Sequence, residues 1–186
     1  MQNVEAQCGE LYLLSALLAM PEPESLAVLN EAAADQPWLR PAVEELAAVE
    51  LEQWQAEHTG LFINGYPNTP CPPFESAYRY GLMGGEALEE LTDLYWRVGI
   101  VPEGMPADYL GAMLECAGQL LERGEGPGTP LWEELWDRHL RLWLPRFCDD
   151  LANHSELVLY RALGERLQML CDRYLPAGDK AAASHV

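Results

Sequence analysis

The sequence predicts an all-α protein, an irregular bundle of several helices. Apolar residues recur at spacings of three and four along most of the chain, as helices with one buried face require. No run of five or more residues alternates as a half-buried strand would, and glycine or proline separates the periodic segments. With 186 residues, one domain of this kind buries roughly 70% of the surface that its unfolded chain exposes.

The helices follow in order from the apolar periodicity and from the residues that bound each segment. They are predicted at residues 3–19, 24–34, 38–58, 73–80, 84–98, 106–123, 130–144, 146–152 and 155–174. Two starts carry local signals. Thr129 and Pro130 have the residue types of an N-cap and a first helical position, and Asn153 with Glu156 has the spacing of a capping box.

Two connectors rich in proline, glycine or aromatic residues interrupt the helices, at residues 59–72 and 99–111. We therefore expect a single domain over residues 1–175 with two lobes, at about 1–60 and 73–175, joined by the first connector and hinged near the second. Such a chain is expected as a monomer or as a domain-swapped dimer. The tail at 176–186 has no apolar periodicity and is predicted to be disordered.

Composition excludes several classes of partner and location. The net charge is −19, and the eleven Lys and Arg residues are dispersed, which argues against nucleic acid and leaves a basic partner or simple solvation as explanations. Five cysteines without a CxxC pair indicate reduced thiols. The apolar run at 11–20 is about half a membrane span and follows no basic region. We expect a cytoplasmic protein without a membrane span.

No pattern of catalytic or metal-binding residues is present in the sequence. The four histidines include no HExxH or i, i+4 pair, and the cysteines lack ligand spacing. There is no GxSxG elbow around a nucleophile, and the glycines at 81–85 precede Glu86 where a phosphate-binding loop would carry lysine. Paired carboxylates are adjacent in sequence and do not face each other on a helix. The prediction is therefore a protein without catalytic residues or metal, and not an enzyme.

The stretch from 59 to 81 is different in kind, because large apolar side chains crowd a connector stiffened by four prolines. These side chains are Leu61, Phe62, Tyr66, Phe74, Tyr78 and Tyr80. Two interpretations are open. The aromatic rings fill the core between the two lobes, or they line a preformed groove that receives an extended or helical peptide.

The segment EHTGLFINGYPNTPCPPFESAYRYGLMGGEALEELTDLYWRVGI resembles the central signature of the TorD/DmsD family, cytoplasmic chaperones that mature molybdenum-containing oxidoreductases. Its LF pair, its PPF followed by ES, and its final glycine match that signature in order. PADYLGAMLECAGQLL resembles the family's E-P-x-D-H motif and the helix after it, with Pro106 and Asp108 matching, whereas Met105, Ala107 and Tyr109 depart. HLRLWLPRFCDDL resembles the family's H-L-x-x-W-x-P-x-F pattern. The resemblance covers roughly residues 57 to 170.

The resemblance implies a chaperone that binds the twin-arginine signal peptide of the apo catalytic subunit of a molybdenum oxidoreductase. It implies further that the chaperone holds this subunit in the cytoplasm until the molybdopterin cofactor is inserted. The implied peptide-binding residues are Leu61, Phe62, Tyr66, Tyr78, Pro106, Asp108 and Tyr109, with Glu75 and Glu103 as weaker candidates. Asp108 is the expected carboxylate for a signal-peptide arginine, or else an ordinary acidic residue in the first turn of a helix.

Two alternative functions stay open. One is an accessory protein that binds a nucleotide or molybdopterin guanine dinucleotide; no cofactor is otherwise expected, and weak binding of GTP or of that dinucleotide belongs to this alternative. The other is an assembly chaperone of the nitrate-reductase type, whose leader lacks twin arginines.

Overall fold

The computed structural model describes residues 2–65, 67–81, 84–101 and 104–174, and helices make up nearly all of its regular structure. The α-helices are α1 (Gln2–Ala16), α2 (Ser25–Asp35), α3 (Arg40–Leu46), α4 (Leu51–Phe62), α5 (Glu75–Tyr80), α6 (Glu86–Val98), α7 (Leu110–Glu122), α8 (Pro130–Arg138), α9 (Leu144–His154) and α10 (Val158–Tyr174). Short 3-10 helices lie at Pro37–Leu39 and Leu140–Leu142. Within these residues no strand forms, and the prediction of an all-α fold is confirmed.

The helix predicted at 38–58 is wrong in its middle, because the chain leaves helical geometry between α3 and α4. The amides of Ala48 and Val49 donate to carbonyl oxygens only three residues earlier, at 3.0 and 3.1 Å. No glycine or proline marks this break, so packing causes it. α3 lies against α2 and α10, whereas α4 carries Trp54 inward to donate from Nε1 to the hydroxyl oxygen of Tyr160 at 3.0 Å.

The start of the last helix was also predicted wrongly. Asn153 lies inside α9, and α10 begins at residue 158 instead of 155. Carboxylates from distant helices cap it: Glu57 accepts the amides of Glu156 and Leu157 at 2.8 and 2.9 Å, and Glu45 accepts that of Val158 at 2.6 Å. These contacts satisfy amides that the first turn of a helix leaves free. The predicted start of α8 at residue 130 is confirmed, but Thr129 does not cap it through its side chain, because its hydroxyl donates to the carbonyl oxygen of Gly126 at 2.8 Å.

The most extensive contact between two helices is that of α1 with α7, and glycines on α7 let the two helices approach closely. Ser15 on α1 donates from Oγ to the carbonyl oxygen of Gly111 at 3.1 Å. About two turns further along α7, a Cβ on Gly118 would lie 2.6 Å from a ring carbon of Tyr12. The two helices therefore approach more closely than any larger residue at 118 permits.

Helices on both sides of the first connector share one core. α1 packs on α7 and α3 packs on α10, and the buried apolar residues form one cluster that runs from Cys8 to Cys171. All five cysteines are buried and none forms a disulfide, and burial raises the pKa of Cys71 and of Cys116 to about 12. No helix in the described part of the chain combines the length and the apolar character that crossing a bilayer requires.

Replacing Gly118 by alanine tests the contact between α1 and α7. We expect Gly118→Ala to lower the free energy of unfolding by about 1–3 kcal/mol, because the new methyl group displaces the Tyr12 ring. Urea denaturation followed by circular dichroism measures it. Gly9→Ala on α1 is the matched control: its Cβ would meet nothing within 4 Å, so stability should stay equal or rise by up to about 1 kcal/mol. Equal losses in both variants would contradict the close approach.

Candidate functional site

The segments that carry the family-like motifs meet at one place, here called the motif junction (residues 71–80 and 106–110). The amide of Glu75 donates to the carbonyl oxygen of Asp108 at 3.1 Å, and that of Leu110 donates to the carbonyl oxygen of Pro73 at 2.9 Å. Between these bonds Phe74 and Tyr109 form an isolated antiparallel bridge, with ring centroids 5.6 Å apart. The first connector is thereby fixed to the segment that precedes α7.

Asp108 is a buried structural carboxylate at the centre of this junction. It has no exposed surface, and its Oδ2 accepts the amide of Ser76 at 3.0 Å and the hydroxyl of Ser76 at 2.5 Å. The Ser76 hydroxyl oxygen in turn accepts the amide of Gly84 at 3.1 Å. Asp108 thus caps the start of α5 from outside that helix, where a negative charge is favourable. It is neither exposed to a peptide arginine in this conformation nor within the first turn of α7, which begins at residue 110.

Glu75 joins the third motif segment to the same junction. Its carboxylate is fully buried and accepts from Arg79 at 2.5 Å and from Nδ1 of His139 at 3.0 Å. His139 is the first residue of the segment HLRLWLPRFCDDL and has no exposed surface either. A buried carboxylate requires such partners, since an unpaired buried charge is very costly. The candidate role of Glu75 in binding a peptide gives way, in this conformation, to an internal ion pair.

Leu61 and Phe62 belong to the core, each with 4% of its surface exposed. Phe62 packs edge-on against Tyr160 at 5.2 Å between centroids and is stacked on Phe147 at 6.3 Å. The aromatic groove expected at these residues is therefore closed here, because the last turn of α4 directs both side chains inward. Of the two interpretations of the connector, a plug of aromatic rings in the core or a peptide groove, Phe62 fits the first.

Tyr78 and Tyr109 are half-buried and bonded to protein groups. The Tyr78 hydroxyl donates to Asp150 at 2.8 Å, its ring lies 5.3 Å from Trp143, and burial together with this aspartate raises its pKa. The Tyr109 hydroxyl donates to the carbonyl oxygen of Leu18 at 3.3 Å, and burial raises its pKa to about 12. Both hydroxyls are therefore bonded within the protein.

Of the other predicted residues, Pro106 is exposed at the edge of the junction, whereas Tyr66 and Glu103 lie outside the described residues. Peptide binding by any of the predicted residues stays a prediction. What the structure adds is their common placement, since the residues from all three motif segments meet in one hydrogen-bonded assembly. Sequence reasoning missed Ser76 and His139, which spacing alone does not connect to Asp108 and Glu75.

An open depression lies directly beside the first connector, between α4 and the turn that joins α9 to α10. We call it the connector depression; its volume is 520 Å³. Its lining includes Glu57, Gly60, Leu61, Pro67, Pro70 and Glu156. Apolar and carboxylate groups therefore lie side by side at this point. Of the predicted site residues that the structure describes, Leu61 lines it and the others do not.

A second accessible surface lies beside Pro106, at the C-terminal end of α6. Trp96 and Val101 expose 74% and 73% of their surfaces, and Met105 exposes 44%. With Ile100 they border a depression of 230 Å³. We call this the Trp96 patch. Among the described residues no group of histidine, cysteine or carboxylate side chains is arranged to hold a metal ion.

Comparison with known proteins identifies the family. The family model described as nitrate reductase delta subunit matches residues 20–149, a range that contains Asp108, Glu75 and His139. The chain belongs to this family, and the TorD/DmsD resemblance is confirmed.

Individual relatives agree with the family assignment. The Tat proofreading chaperone DmsD of Salmonella typhi is 32% identical over 119 residues, which cover 61% of this chain and 54% of that protein. Its namesake from Salmonella paratyphi A is 30% identical over 119 residues, with the same coverage. The chain thus spans about half the length of the curated relatives it matches.

One solved structure has a fold similar to that of this chain. It is the crystal structure of a protein from Archaeoglobus fulgidus assigned as a redox enzyme maturation protein, with a TM-score of 0.65 and 27% sequence identity. The match covers 87% of this chain and 91% of that one, so it extends beyond the motif segments to nearly the whole helical fold.

The structural role of Asp108 in this family member is testable by neutralising the carboxylate. We expect Asp108→Asn to lower the free energy of unfolding by about 1–3 kcal/mol, because the charged cap of α5 is lost. Chemical denaturation measures the loss. Asp149→Asn, on the exposed side of α9, should change stability by no more than about 0.5 kcal/mol. If Asp108→Asn were as stable as this control, the capping role would be wrong.

His58 makes stability depend on pH in a definite direction. Its Nε2 donates to the carbonyl oxygen of Leu18 at 2.9 Å, Nδ1 is buried without a partner among the described residues, and burial lowers the pKa below 6.5. The unfolded chain therefore takes up a proton more readily, so the contribution of His58 is present above pH 6.5 and decreases as pH falls toward the folded-state pKa.

We expect His58→Gln to show a shallower loss of unfolding free energy than the unmodified protein between about pH 7 and pH 5. Denaturant titrations at several pH values provide the slopes. His154→Gln, at an exposed position, corrects for the loss of a histidine in general. Identical slopes for the unmodified protein and His58→Gln would contradict burial of a neutral imidazole.

Proposed function

We propose that the protein is a cytoplasmic chaperone for the maturation of a molybdenum-containing oxidoreductase. It binds the twin-arginine signal peptide at the N-terminus of the apo catalytic subunit and retains that subunit until the molybdopterin cofactor has been inserted. Membership of the family and the names of its relatives, a Tat proofreading chaperone and a redox enzyme maturation protein, support this proposal.

The observation that carries the proposal is the chemistry of the connector depression. A twin-arginine leader is basic near its start and apolar in its middle, and the depression offers Glu57 and Glu156 beside Leu61 and two prolines. Glu57 already accepts the two amides that immediately precede α10, and burial raises its pKa, so an arriving cation stabilises its charged form. A cationic and apolar peptide therefore complements this surface, which a phosphate or a nucleic acid does not.

Apolar contacts and ion pairs contribute very different amounts of free energy to peptide binding. Burial of three or four apolar side chains of the peptide contributes roughly 5–10 kcal/mol before ordering costs. Each exposed pair of arginine and carboxylate adds only about 0.2–1 kcal/mol. Affinity therefore depends mainly on apolar contacts, and the charge of −19 raises the association rate and selects cationic partners.

The buried motif residues act in this proposal as positioning residues. Asp108, Glu75 and His139 hold the first connector against the rest of the protein, and the connector presents Pro67 and Pro70 to the depression. Loss of the junction would therefore weaken peptide binding through the shape of the connector, without direct contact between these residues and the peptide.

A second candidate is favoured by the family description itself. Nitrate reductase delta subunit is the description of the matched family, which supports an assembly chaperone for a leader without twin arginines. Binding of GTP or molybdopterin guanine dinucleotide stays a prediction, and no phosphate-binding loop in the sequence supports it.

The decisive experiment is affinity purification of the tagged protein from its own host during anaerobic respiration, followed by mass spectrometry. We expect a molybdoenzyme catalytic subunit that retains its leader. A tagged acidic protein of similar size serves as the control for non-specific capture. Recovery of a nucleotide or of unrelated proteins without such a subunit would contradict the proposal.

The captured leader then distinguishes the two candidates. A synthetic peptide with this leader sequence should bind in a fluorescence anisotropy titration, and a variant with both arginines replaced by lysine should bind more weakly, because lysine lacks the bidentate geometry of the guanidinium group. Equal binding of the two peptides, or a captured leader without paired arginines, would favour the second candidate.

A further inference from the structure

A chain of three depressions crosses the protein on one side of α4. We propose that the leader peptide lies along this track in one orientation, with its arginines at the connector depression and its apolar segment in a cleft between α1 and α2. This inference rests on the proposed function and extends it, because it assigns a separate subsite to each part of the peptide.

The apolar end of the track is the α1–α2 cleft, with a volume of 250 Å³. Its lining includes Leu13, Leu17, Met20, Pro21, Val28 and Leu29. Val28 on α2 exposes 61% of its surface and Met20 exposes 36%, so two large apolar side chains stand open at its mouth. Trp54 and Tyr160 close its inner end. The cleft is large enough for one or two aliphatic side chains of a peptide.

The three depressions adjoin one another, since neighbours share lining residues. A middle depression of 520 Å³ is bordered by Met20, Gln55, Ala56, Thr59, Gly60 and Asn64. Met20 also borders the α1–α2 cleft, and Ala56 and Gly60 also border the connector depression. A peptide can therefore pass from the cleft to the connector without leaving the surface of the protein.

The crossing point on α4 is built from two small residues. Ala56 and Gly60 are four positions apart and therefore lie one above the other on the same face of the helix. A Cβ placed on Gly60 would meet nothing within 4 Å, so the surface above it is open. A peptide backbone can thus cross α4 at close range. Since a helix is about 10 Å wide, three or four extended residues suffice for the crossing.

Charge determines both the occupant and its direction. Two carboxylates, Glu57 and Glu156, line the connector end together with His154. The α1–α2 cleft has a single lining carboxylate, Glu24, in a largely apolar lining. Arg161 is close to the connector end, but its guanidinium donates to the backbone carbonyls of Ser155 and Glu156, at 3.0 and 2.5 Å. A second copy of this chain would bring its own net charge of −19 to these carboxylates, so a cationic peptide fits better than self-association.

Photo-crosslinking tests the orientation. The probes are two versions of the captured leader peptide, one with benzoylphenylalanine next to the arginines and one with it in the apolar segment. We expect the first to crosslink to residues 57–70 or 154–156, and the second to residues 13–32. Reversed sites, or crosslinks from both versions to the Trp96 patch, would overturn the track while leaving peptide binding intact. Failure of either peptide to bind would overturn the proposed function and the track together.

Matched substitutions test the path independently. Gly60→Trp fills the crossing point, and we expect it to weaken binding of the leader peptide by about tenfold or more. Gly9→Trp is the control, since Gly9 is a helical glycine whose Cβ also meets nothing within 4 Å, and it should change affinity by less than about twofold. Gly60→Ala is a second control, and it should leave the affinity for the leader peptide unchanged, because its methyl group meets nothing within 4 Å.

The apolar end has its own pair of variants. Val28→Asp places a charge at the mouth of the α1–α2 cleft, and Val4→Asp places one at an exposed valine outside the track. We expect about tenfold weaker binding for Val28→Asp and less than about twofold for Val4→Asp. Circular dichroism and denaturation verify that all variants fold. Full affinity in both Gly60→Trp and Val28→Asp would overturn the proposal.

Discussion

Two hydrogen bonds from Ser76 to the carboxylate of Asp108 hold together the part of the molecule that the family motifs encode. They begin α5 at Glu75, and this start directs the Glu75 side chain inward to His139. They also keep the connector close enough for Leu110 to donate to Pro73. A fully buried carboxylate is stable in such a place only because charged hydrogen bonds and the start of a helix offset its lost hydration. The other contacts of the junction depend on that arrangement.

This arrangement separates positioning from binding. The motif residues that chemistry suggests for contact with a peptide are mostly buried. The accessible apolar and acidic groups lie beside them, some in the same motif segment, such as Glu57 and Pro67, and others on α2. Phe62 illustrates the first case and Val28 the second, with 4% and 61% exposure. The stiffness of the connector then has a physical consequence, since it preserves the shape of the depression that Pro67 and Pro70 line.

The sequence predicted those features that depend on local pattern. Apolar periodicity was sufficient for the all-α fold and for most helices, and the residue types at 129 and 130 were sufficient for the start of α8. Features that depend on distant partners were not predictable. The cap of α10 comes from Glu57, about a hundred positions earlier, and the partner of Asp108 is 32 positions away. No spacing rule connects such residues, because only the folded chain brings them together.

The distribution of charge explains how an acidic surface remains available to a cationic partner. The protein has few cations, and several of its arginines pair with carboxylates of the same chain: Arg79 with Glu75, Arg97 with Asp93 and Glu134, Arg138 with Glu90, and both Arg166 and Arg173 with Glu10. These pairs occupy cations that could otherwise face solvent, while Asp and Glu outnumber Lys and Arg by 30 to 11 in the sequence. At the connector depression this leaves Glu156 exposed beside an apolar floor. In the proposed function, apolar burial would decide how tightly a peptide is held, and the surrounding negative field would favour the arrival of cationic peptides.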